Sequence, residues 1–330
     1  MRAMSALDVG VVAIGRNEGE RLVACLRSVV GRVRAVVYVD SASTDGSASR
    51  ARELGVEVVD LDLSRPFTAA RARNEGFARL MEIAPDLRHV QFVDGDCVVV
   101  DGWIELAVAR LEARPKVAVV CGRRRERHPD ASVWNRIIDV EWDTPVGEAL
   151  ACGGDALMRV EAFRGVGGFD GSVIAGEEPE LCVRLRRAGW TIERLDAEMT
   201  LHDAAMTAPK QWWTRAVRAG HAYAEGAAMH GDSGHWVAET RRIWLWGAVV
   251  PAVAVAGAVP TFGLSLGLLL AYPVQAARIF RHTRARGRAT SDAAAYAAAV
   301  TVGRFAELQG MVRYHRAHAR GKRNTIIEYK

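Results

Sequence analysis

His89-Val90-Gln91-Phe92-Val93-Asp94-Gly95-Asp96 decides how the rest of this chain is read. Its first five residues have the character of a buried strand, and the strand stops at two carboxylates separated by one glycine. Alternate side chains of an extended segment point the same way, so Asp94 and Asp96 can approach one divalent cation. The tripeptide alone is common, and its weight comes from position. A second strand-like run ends in an acid at Asp40, and an acidic pair, Glu177-Glu178, follows downstream. Acidic ends recurring through an alternation of strands and helices suggest a metal-assisted site for a nucleoside diphosphate.

Outward from this segment the same unit repeats. Val9–Ile14 reads as a buried strand followed by the polar turn Gly15-Arg16-Asn17-Glu18-Gly19, then by helical periodicity through Leu22, Cys25, Leu26 and Val29. Ala35–Val39 is a second strand, and Ser41–Gly46 is rich in capping residues and feeds a helix over Ser47–Leu54. Val56–Leu61 reads as a strand and Ala69–Ile83 as a helix. Repeated β–turn–α units predict a Rossmann-like, mostly parallel sheet flanked by helices, with ligands at the carboxyl ends of its strands. Further on, the expectations are a helix over Trp103–Leu111, a strand over Val117–Cys121, a basic loop over Gly122–Asp130 and a helix over Val133–Trp142. Trp190–Leu195 is an extended piece, and Trp212–Ala228 is an aromatic-rich helix, either core packing or an interfacial guide for a lipid acceptor.

The chain has 330 residues, enough for one large domain and an appendage. Its five cysteines lack paired spacing, which argues against a disulfide framework or a zinc site and fits a reducing cytoplasm. Met1–Asp8 has no hydrophobic run of signal-peptide length, so no N-terminal export signal is expected. Net charge is +5, and much of the excess arginine gathers near the C-terminus, at Arg278, Arg281, Arg284, Arg286 and Arg288, then at Arg313, Arg316, Arg320, Lys322 and Arg323. Flanking an apolar segment, such residues point to the cytoplasmic face of a membrane rather than to nucleic acid.

That apolar segment runs from Ile243 to Ala277 without a charged residue. As one helix, roughly 35 residues would reach ~50 Å, well beyond a ~30 Å hydrocarbon core. Pro251, Pro260 and Pro273 make one straight helix unfavourable. Two shorter helices turning near Pro260-Thr261 are expected, as a membrane-inserted or re-entrant hairpin over about 243–280, with an apolar core hairpin as the alternative. The tail, 289–330, reads as basic and amphipathic, with Phe305, Leu308, Met311 and Val312 on one face. The expected division is a catalytic domain over 1–235 and a helical, membrane-associated region over 236–330.

Several segments together carry a resemblance. Val9-Gly-Val-Val-Ala-Ile-Gly-Arg-Asn-Glu18, Val39-Asp-Ser-Ala-Ser-Thr-Asp-Gly-Ser47, Ala72-Arg-Asn-Glu-Gly76, Phe92-Val-Asp-Gly-Asp96, Cys152-Gly-Gly-Asp-Ala-Leu157, Val166-Gly-Gly-Phe-Asp170 and Gly176-Glu-Glu-Pro-Glu-Leu181 follow one another in a family's order. Residues 9 to about 230 thus resemble the family 2 glycosyltransferases of the GT-A fold. The resemblance implies transfer of a sugar from a nucleoside diphosphate to an acceptor, usually with inversion and with Mn2+ or Mg2+.

It also implies roles. Asp96 is the expected direct metal ligand, Asp94 binds the sugar or the metal through water, and His202 in Leu201-His-Asp203 completes the metal or diphosphate site, unless it is structural. Asp40 accepts a hydrogen bond from the base, although Ser41 stands where many relatives have a second Asp. The turn from Ala13 through Gly15 and Asn17 to Glu18 lines the nucleotide pocket, with a helix-capping role for Glu18 as the alternative, and Asn74 joins the donor contacts. Gly153 and Gly154 let the backbone approach the sugar, and Asp155 holds a sugar hydroxyl. Arg123–Arg127 and His128 either touch a phosphate on a lipid-linked acceptor or form a solvated basic loop. Removing the acceptor proton calls for a carboxylate base, Glu178 or its neighbour Glu177.

The expected partners are therefore a UDP- or GDP-sugar, a lipid or glycan acceptor and a membrane. Gln211-Trp-Trp-Thr-Arg215 departs from the QxxRW pattern of processive synthases, which predicts one sugar per acceptor. No GxGxxG follows the first strand, against a dinucleotide-binding dehydrogenase. A non-catalytic nucleotide-sugar binder and a sugar nucleotidyltransferase are the competing classes, and the second lacks its glycine-rich basic loop.

Overall fold

The computed structural model describes residues 7–321 and divides into two compact units. The first comprises the chain up to Arg127 together with Trp142–Ala204; the second comprises His128–Glu141 and the chain from Ala205 onward. The expected boundary near residue 235 falls later than this division. Met1–Ala6 and the end of the tail, including Lys322 and Arg323, lie outside the described residues.

The first unit opens with the alternation read from the sequence: β1 (Leu7–Gly15), α1 (Glu20–Arg27), β2 (Val33–Asp40), α2 (Ser47–Glu53), β3 (Glu57–Asp60), α3 (Ala69–Ile83) and β4 (His89–Asp94). It continues through β5 (Cys97–Val99), α4 (Trp103–Ala113) and β6 (Val117–Glu126), and, after α5 (Val133–Trp142), through β7 (Gly147–Glu148), β8 (Ala156–Arg159), α6 (Val160–Gly165), α7 (Glu177–Arg187) and β9 (Thr191–His202). The sheet order is β3-β2-β1-β4-β8-β6-β9-β5, with β7 on β9. The β3-β2-β1-β4 half is parallel, as β–turn–α units require. The other half is not: β8 runs antiparallel to β4 and β6, and β5 and β7 antiparallel to β9. The sheet is mixed rather than mostly parallel, because β5, β7 and β8 each run against the strands they pair with.

Two local expectations also change. The basic loop over Gly122–Asp130 is largely strand, since β6 continues to Glu126 paired with β9. Alternation along β6 buries Glu126 while Arg123 and Arg125 stay partly exposed. The extended piece after Trp190 is the long strand β9, ending at His202.

A continuous core lies on the sheet, with Val11, Val12, Leu22, Leu26, Val37, Val39 and Leu80 fully buried. Helix α3 sits close to the strands because residue 76 is glycine: a Cβ there would lie 2.5 Å from Val12 and 2.7 Å from Val39. Phe77, Phe92, Phe163 and Phe169 form an aromatic cluster with ring centroids 4.6–6.5 Å apart.

The second unit is helical. Besides α5 up to Glu141 it holds α8 (Pro209–His230), α9 (Val237–Trp244), a π-type turn over Leu245–Val249, α10 (Val250–Ala256), a 3-10 segment over Leu264–Leu270, α11 (Ala271–Ala285) and α12 (Thr290–Ala319). Trp212 stacks on Trp134 at 5.1 Å, so the aromatic pair in α8 serves packing. The face of α12 that is buried carries Ala293, Ala297, Thr301, Ala306, Gly310, Met311 and Tyr314, whereas Phe305 of the expected apolar face is exposed. Small residues win because α8 and α12 meet backbone to backbone. A Cβ on Gly310 would collide with the Val217 carbonyl, and one on Gly220 with that of Glu307.

Among the described residues no helix is long and apolar enough to cross a membrane. The apolar stretch does fold back on itself, turning between α10 and the 3-10 segment around Pro260, but in short pieces rather than two uninterrupted helices. Pro251 and Pro273 stand in the first turns of α10 and α11, where the missing N–H costs nothing.

Gly310→Ala should force α8 and α12 apart. A loss of about 1–3 kcal/mol is expected from overpacking, read as a lower denaturation midpoint by circular dichroism; an unchanged midpoint would show that the close approach is dispensable.

Candidate functional site

Strand register brings the acidic ends together in the first unit. Gly15 pairs with Asp40, and Ile14 with Asp94, so these acids end strands on either side of β1. Two strand spacings separate them, ~10 Å. Asp40 is buried and accepts from the Tyr38 hydroxyl at 2.9 Å and the Ser43 amide at 2.8 Å. The turns after β1 and β2 are laced together. Asn17, in a left-handed conformation at φ 56°, receives the Thr44 amide on Oδ1 at 2.7 Å and donates its own amide to Ser43 Oγ at 2.9 Å. Gly19 N–H reaches Ser47 Oγ at 3.0 Å. Glu18 pairs with Arg21 at 2.8 Å, and the N-cap position of α1 is Gly19, so Glu18 is not the cap.

Arg73 organises the centre. It comes from α3, is 3% exposed, and donates to Asp94 of β4 at 2.6 Å and to Glu177 of α7 at 2.7 Å. Burial alone would lower this guanidinium, but Asp94 and Glu177 outweigh it and hold its pKa above the ordinary value. Arg124 of β6 forms a second cationic node. It lies 3.2 Å from Asp155 and 5.4 Å over the Trp142 ring, and again burial is outweighed, here chiefly by Asp155. Gly154 fits between these groups: a Cβ would stand 3.0 Å from Asp94, 3.2 Å from Arg73 and 3.3 Å from Arg124. Sequence reading assigned neither arginine to this place. For Arg73 a signal existed, because it falls on the buried stripe of α3 with Ala70, Phe77 and Leu80.

Asp96 and His202 face each other across the β5–β9 pairing, with Nε2 and Oδ2 3.0 Å apart. Burial, reinforced by Arg124, pulls the His202 imidazole down to about 4 against Asp155, Asp94 and Glu126. The ring is therefore neutral near pH 7 and meets Asp96 as a neutral hydrogen-bond partner. It stacks on Trp142 at 4.6 Å, and its Nδ1 is buried with no hydrogen-bond partner. A neutral imidazole beside a buried carboxylate fits a divalent cation. Cys97 lies in the same cluster, but burial holds its thiol well above the ordinary range, so it remains a weak donor to Asp96.

The acidic pair opens α7 after Gly176, which sits at φ 82°. Its two members differ in company. Glu177 is ion-paired with Arg73, whereas Glu178 Oε1 accepts from the Cys152 amide and lies 3.2 Å from the Cys182 thiol. Glu177 is thus committed to a guanidinium, while Glu178 is held by neutral donors.

Three roles expected from the sequence change. Asp155 is fully buried, and its oxygens take the Asp94 amide at 3.0 Å, the Thr200 hydroxyl at 2.8 Å and Arg124, so it holds the site rather than a sugar hydroxyl. Asn74 spends both ends of its amide on Phe169, at 2.7 and 3.0 Å, fixing the Gly168-Phe169 turn. Ala13 is buried within the sheet, paired with Tyr38 and Val93, and lines no pocket.

Comparison with known proteins bears on the family and the fold. Residues 11–166 match the family model described as glycosyl transferase family 2. The chain is 30% identical to the succinoglycan biosynthesis protein ExoA of Rhizobium meliloti over 187 residues, 54% of this chain and 56% of that one. It is 28% identical to the pre-mycofactocin glycosyltransferase of Mycobacterium tuberculosis over 246 residues, 68% of this chain and 48% of that one. The chain thus spans about half the length of the curated relatives it matches. In fold it is similar to the mannosyltransferase PcManGT from Pyrobaculum calidifontis, solved in complex with GDP-Man and Mn2+, with a TM-score of 0.61 at 18% identity over 95% of this chain and 88% of that one.

Arg73→Met should leave Asp94 and Glu177 without their shared cation. The expected cost is about 3–5 kcal/mol, measured by urea denaturation; a loss below about 1 kcal/mol would mean that other groups neutralise these acids.

Proposed function

We propose, for a chain whose residues 11–166 belong to glycosyl transferase family 2, that it moves one sugar from a nucleoside-diphosphate sugar to a lipid or glycan acceptor at the cytoplasmic face of a membrane, with inversion. The observation that carries this reading is the Arg73 bridge. It ties Asp94, at the strand end suited to a donor, to the start of α7, where the candidate base stands.

In this reading the donor lies across the ends of β1, β2 and β4, its base near Asp40 and the turn through Gly15, Asn17 and Glu18. Asp96 and His202, with Asp94 beside them, would hold Mn2+ or Mg2+, which when bound supplies Lewis-acid neutralisation of the leaving diphosphate. Gly154 leaves room for the sugar against Asp94. Arg73 and Arg124 hold the surrounding carboxylates in place, and Trp142 and His202 exclude water from one side. Glu178 accepts the acceptor's hydroxyl proton. With Oε1 fixed by the Cys152 amide, the acceptor meets Oε2, and Glu177 keeps Arg73 in position. The five buried, unpaired cysteines accord with a reducing compartment, and the exposed apolar hairpin of the second unit with a membrane.

Glu178→Gln should retain donor binding and lose transfer by about 100-fold or more, measured as sugar transfer to a lipid-phosphate acceptor; normal turnover would place the base elsewhere. A thermal-shift screen should show one of the GDP- or UDP-sugars raising the melting temperature with Mn2+ present, because a ligand of the native state stabilises it by mass action. No shift with any of them would oppose the donor assignment.

A further inference from the structure

The turn of the apolar stretch stands in the open. Val259 is 87% exposed, Phe262 98% and Leu264 84%, and no residue from Ile243 to Ala277 carries a charge. Single exposed apolar side chains are ordinary, but a contiguous run of them needs a partner.

The polar groups of the same turn point to what that partner is. The Thr261 amide donates to the Gly257 carbonyl at 3.0 Å, Gly263 to Ala258 at 2.7 Å, Leu264 to Thr261 at 3.1 Å and Leu266 to Gly263 at 3.1 Å. The hydroxyls are spent inside as well, Thr261 on the Gly257 carbonyl at 2.6 Å and Ser265 on that of Ala254 at 2.7 Å. The legs touch where Gly257 faces Ser265, a close approach that a Cβ at 257 would spoil, at 2.9 Å. A water-facing loop has no need of such closure. Hydrocarbon demands it, since each unmet polar group there costs several kcal/mol.

Length sets the depth. The seven residues of α10 rise ~10 Å, and the seven of the 3-10 segment ~14 Å, against a ~30 Å hydrocarbon core. Where the legs leave the turn, Trp246 and Tyr272 pack with ring centroids 5.6 Å apart, and the Tyr272 hydroxyl donates to the Trp246 carbonyl. Beyond them Arg241, Arg242, Arg278, Arg281 and Arg284 are exposed. Apolar tip, aromatic collar and basic base are the order of chemistry met on leaving one leaflet.

We propose that residues 249–274 form a wedge that enters a single leaflet of an anionic bilayer and turns back within it, with Trp246 and Tyr272 at headgroup depth and the flanking arginines on acidic headgroups. This rests on the membrane part of the function proposed above and not on glycosyl transfer.

The test uses the full chain and vesicles of phosphatidylcholine, with and without phosphatidylglycerol. The chain should co-sediment at least about tenfold more strongly with the anionic vesicles, and Phe262→Asp with Leu264→Asp should weaken that binding by at least about tenfold with an unchanged melting temperature. The native cysteines are buried, so a Phe262→Cys variant reports the tip. A bilayer-impermeant maleimide added outside should label it in solution but not when vesicle-bound, and the same reagent trapped inside should not label it. Labelling from inside means the tip crosses the bilayer, and labelling of the bound protein from outside means it never enters; either overturns the wedge. Equal binding to neutral vesicles overturns the anionic preference. Self-association through the tip without vesicle binding assigns the surface to a second copy and overturns the proposal, leaving sugar transfer to a soluble acceptor untouched.

Discussion

A guanidinium taken out of water must find its counter-charges at once, and Arg73 finds them on two different elements. Asp94 comes from the end of β4 and Glu177 from the start of α7, so a single side chain of α3 fixes the separation of a strand end and a helix start. Arg73 and Glu177 are buried together, Asp94 is partly exposed, and the arginine could not be buried without them. The geometry around the bridge follows from it. A Cβ at residue 154 would crowd Asp94, Arg73 and Arg124, and Asp155 next to it steadies the Asp94 amide while answering Arg124.

The carboxylates of the site divide by the company they keep. Asp94, Asp155 and Glu177 are held by arginine and serve the frame. Asp96 faces a neutral imidazole, the setting in which the proposed reading places a cation. Glu178 is held by an amide and a thiol, both on Oε1. Similar side chains thus stand in different company, and the roles proposed for them follow from those neighbours.

Much of this was legible in the sequence where periodicity and end chemistry coincide. The strands ending at Asp40 and Asp94 stood out because an apolar run stops at an acid, and the register then places both at one edge of the sheet. His202 stood out only through the family resemblance, since its pairing with Cys97 across β5 and β9 depends on long-range register. Arg73 and Arg124 were not placed, because an arginine reads as surface unless its position in the apolar stripe is weighed. Asp155 and Asn74 were given ligand roles through the family resemblance, which does not show that their side chains meet Arg124 and Phe169. The mixed half of the sheet escaped for a related reason: strands as short as β5, β7 and β8 carry too few residues to show a period. In the second unit the face of α12 was read in part, with Met311 in the core, Leu308 packed against it and Phe305 exposed, because apolar size was weighed above the close approach at Gly220 and Gly310.

The central claim is that acids from separate elements converge on a cation beside the donor. Mn2+ binding in the presence of GDP or UDP, followed by loss of the free-ion electron paramagnetic resonance signal, tests it most directly. The account predicts one site in the native chain, weakened at least about tenfold in Asp96→Asn and in His202→Ala. Equal Mn2+ affinity in all three proteins, with the fold intact, would contradict it.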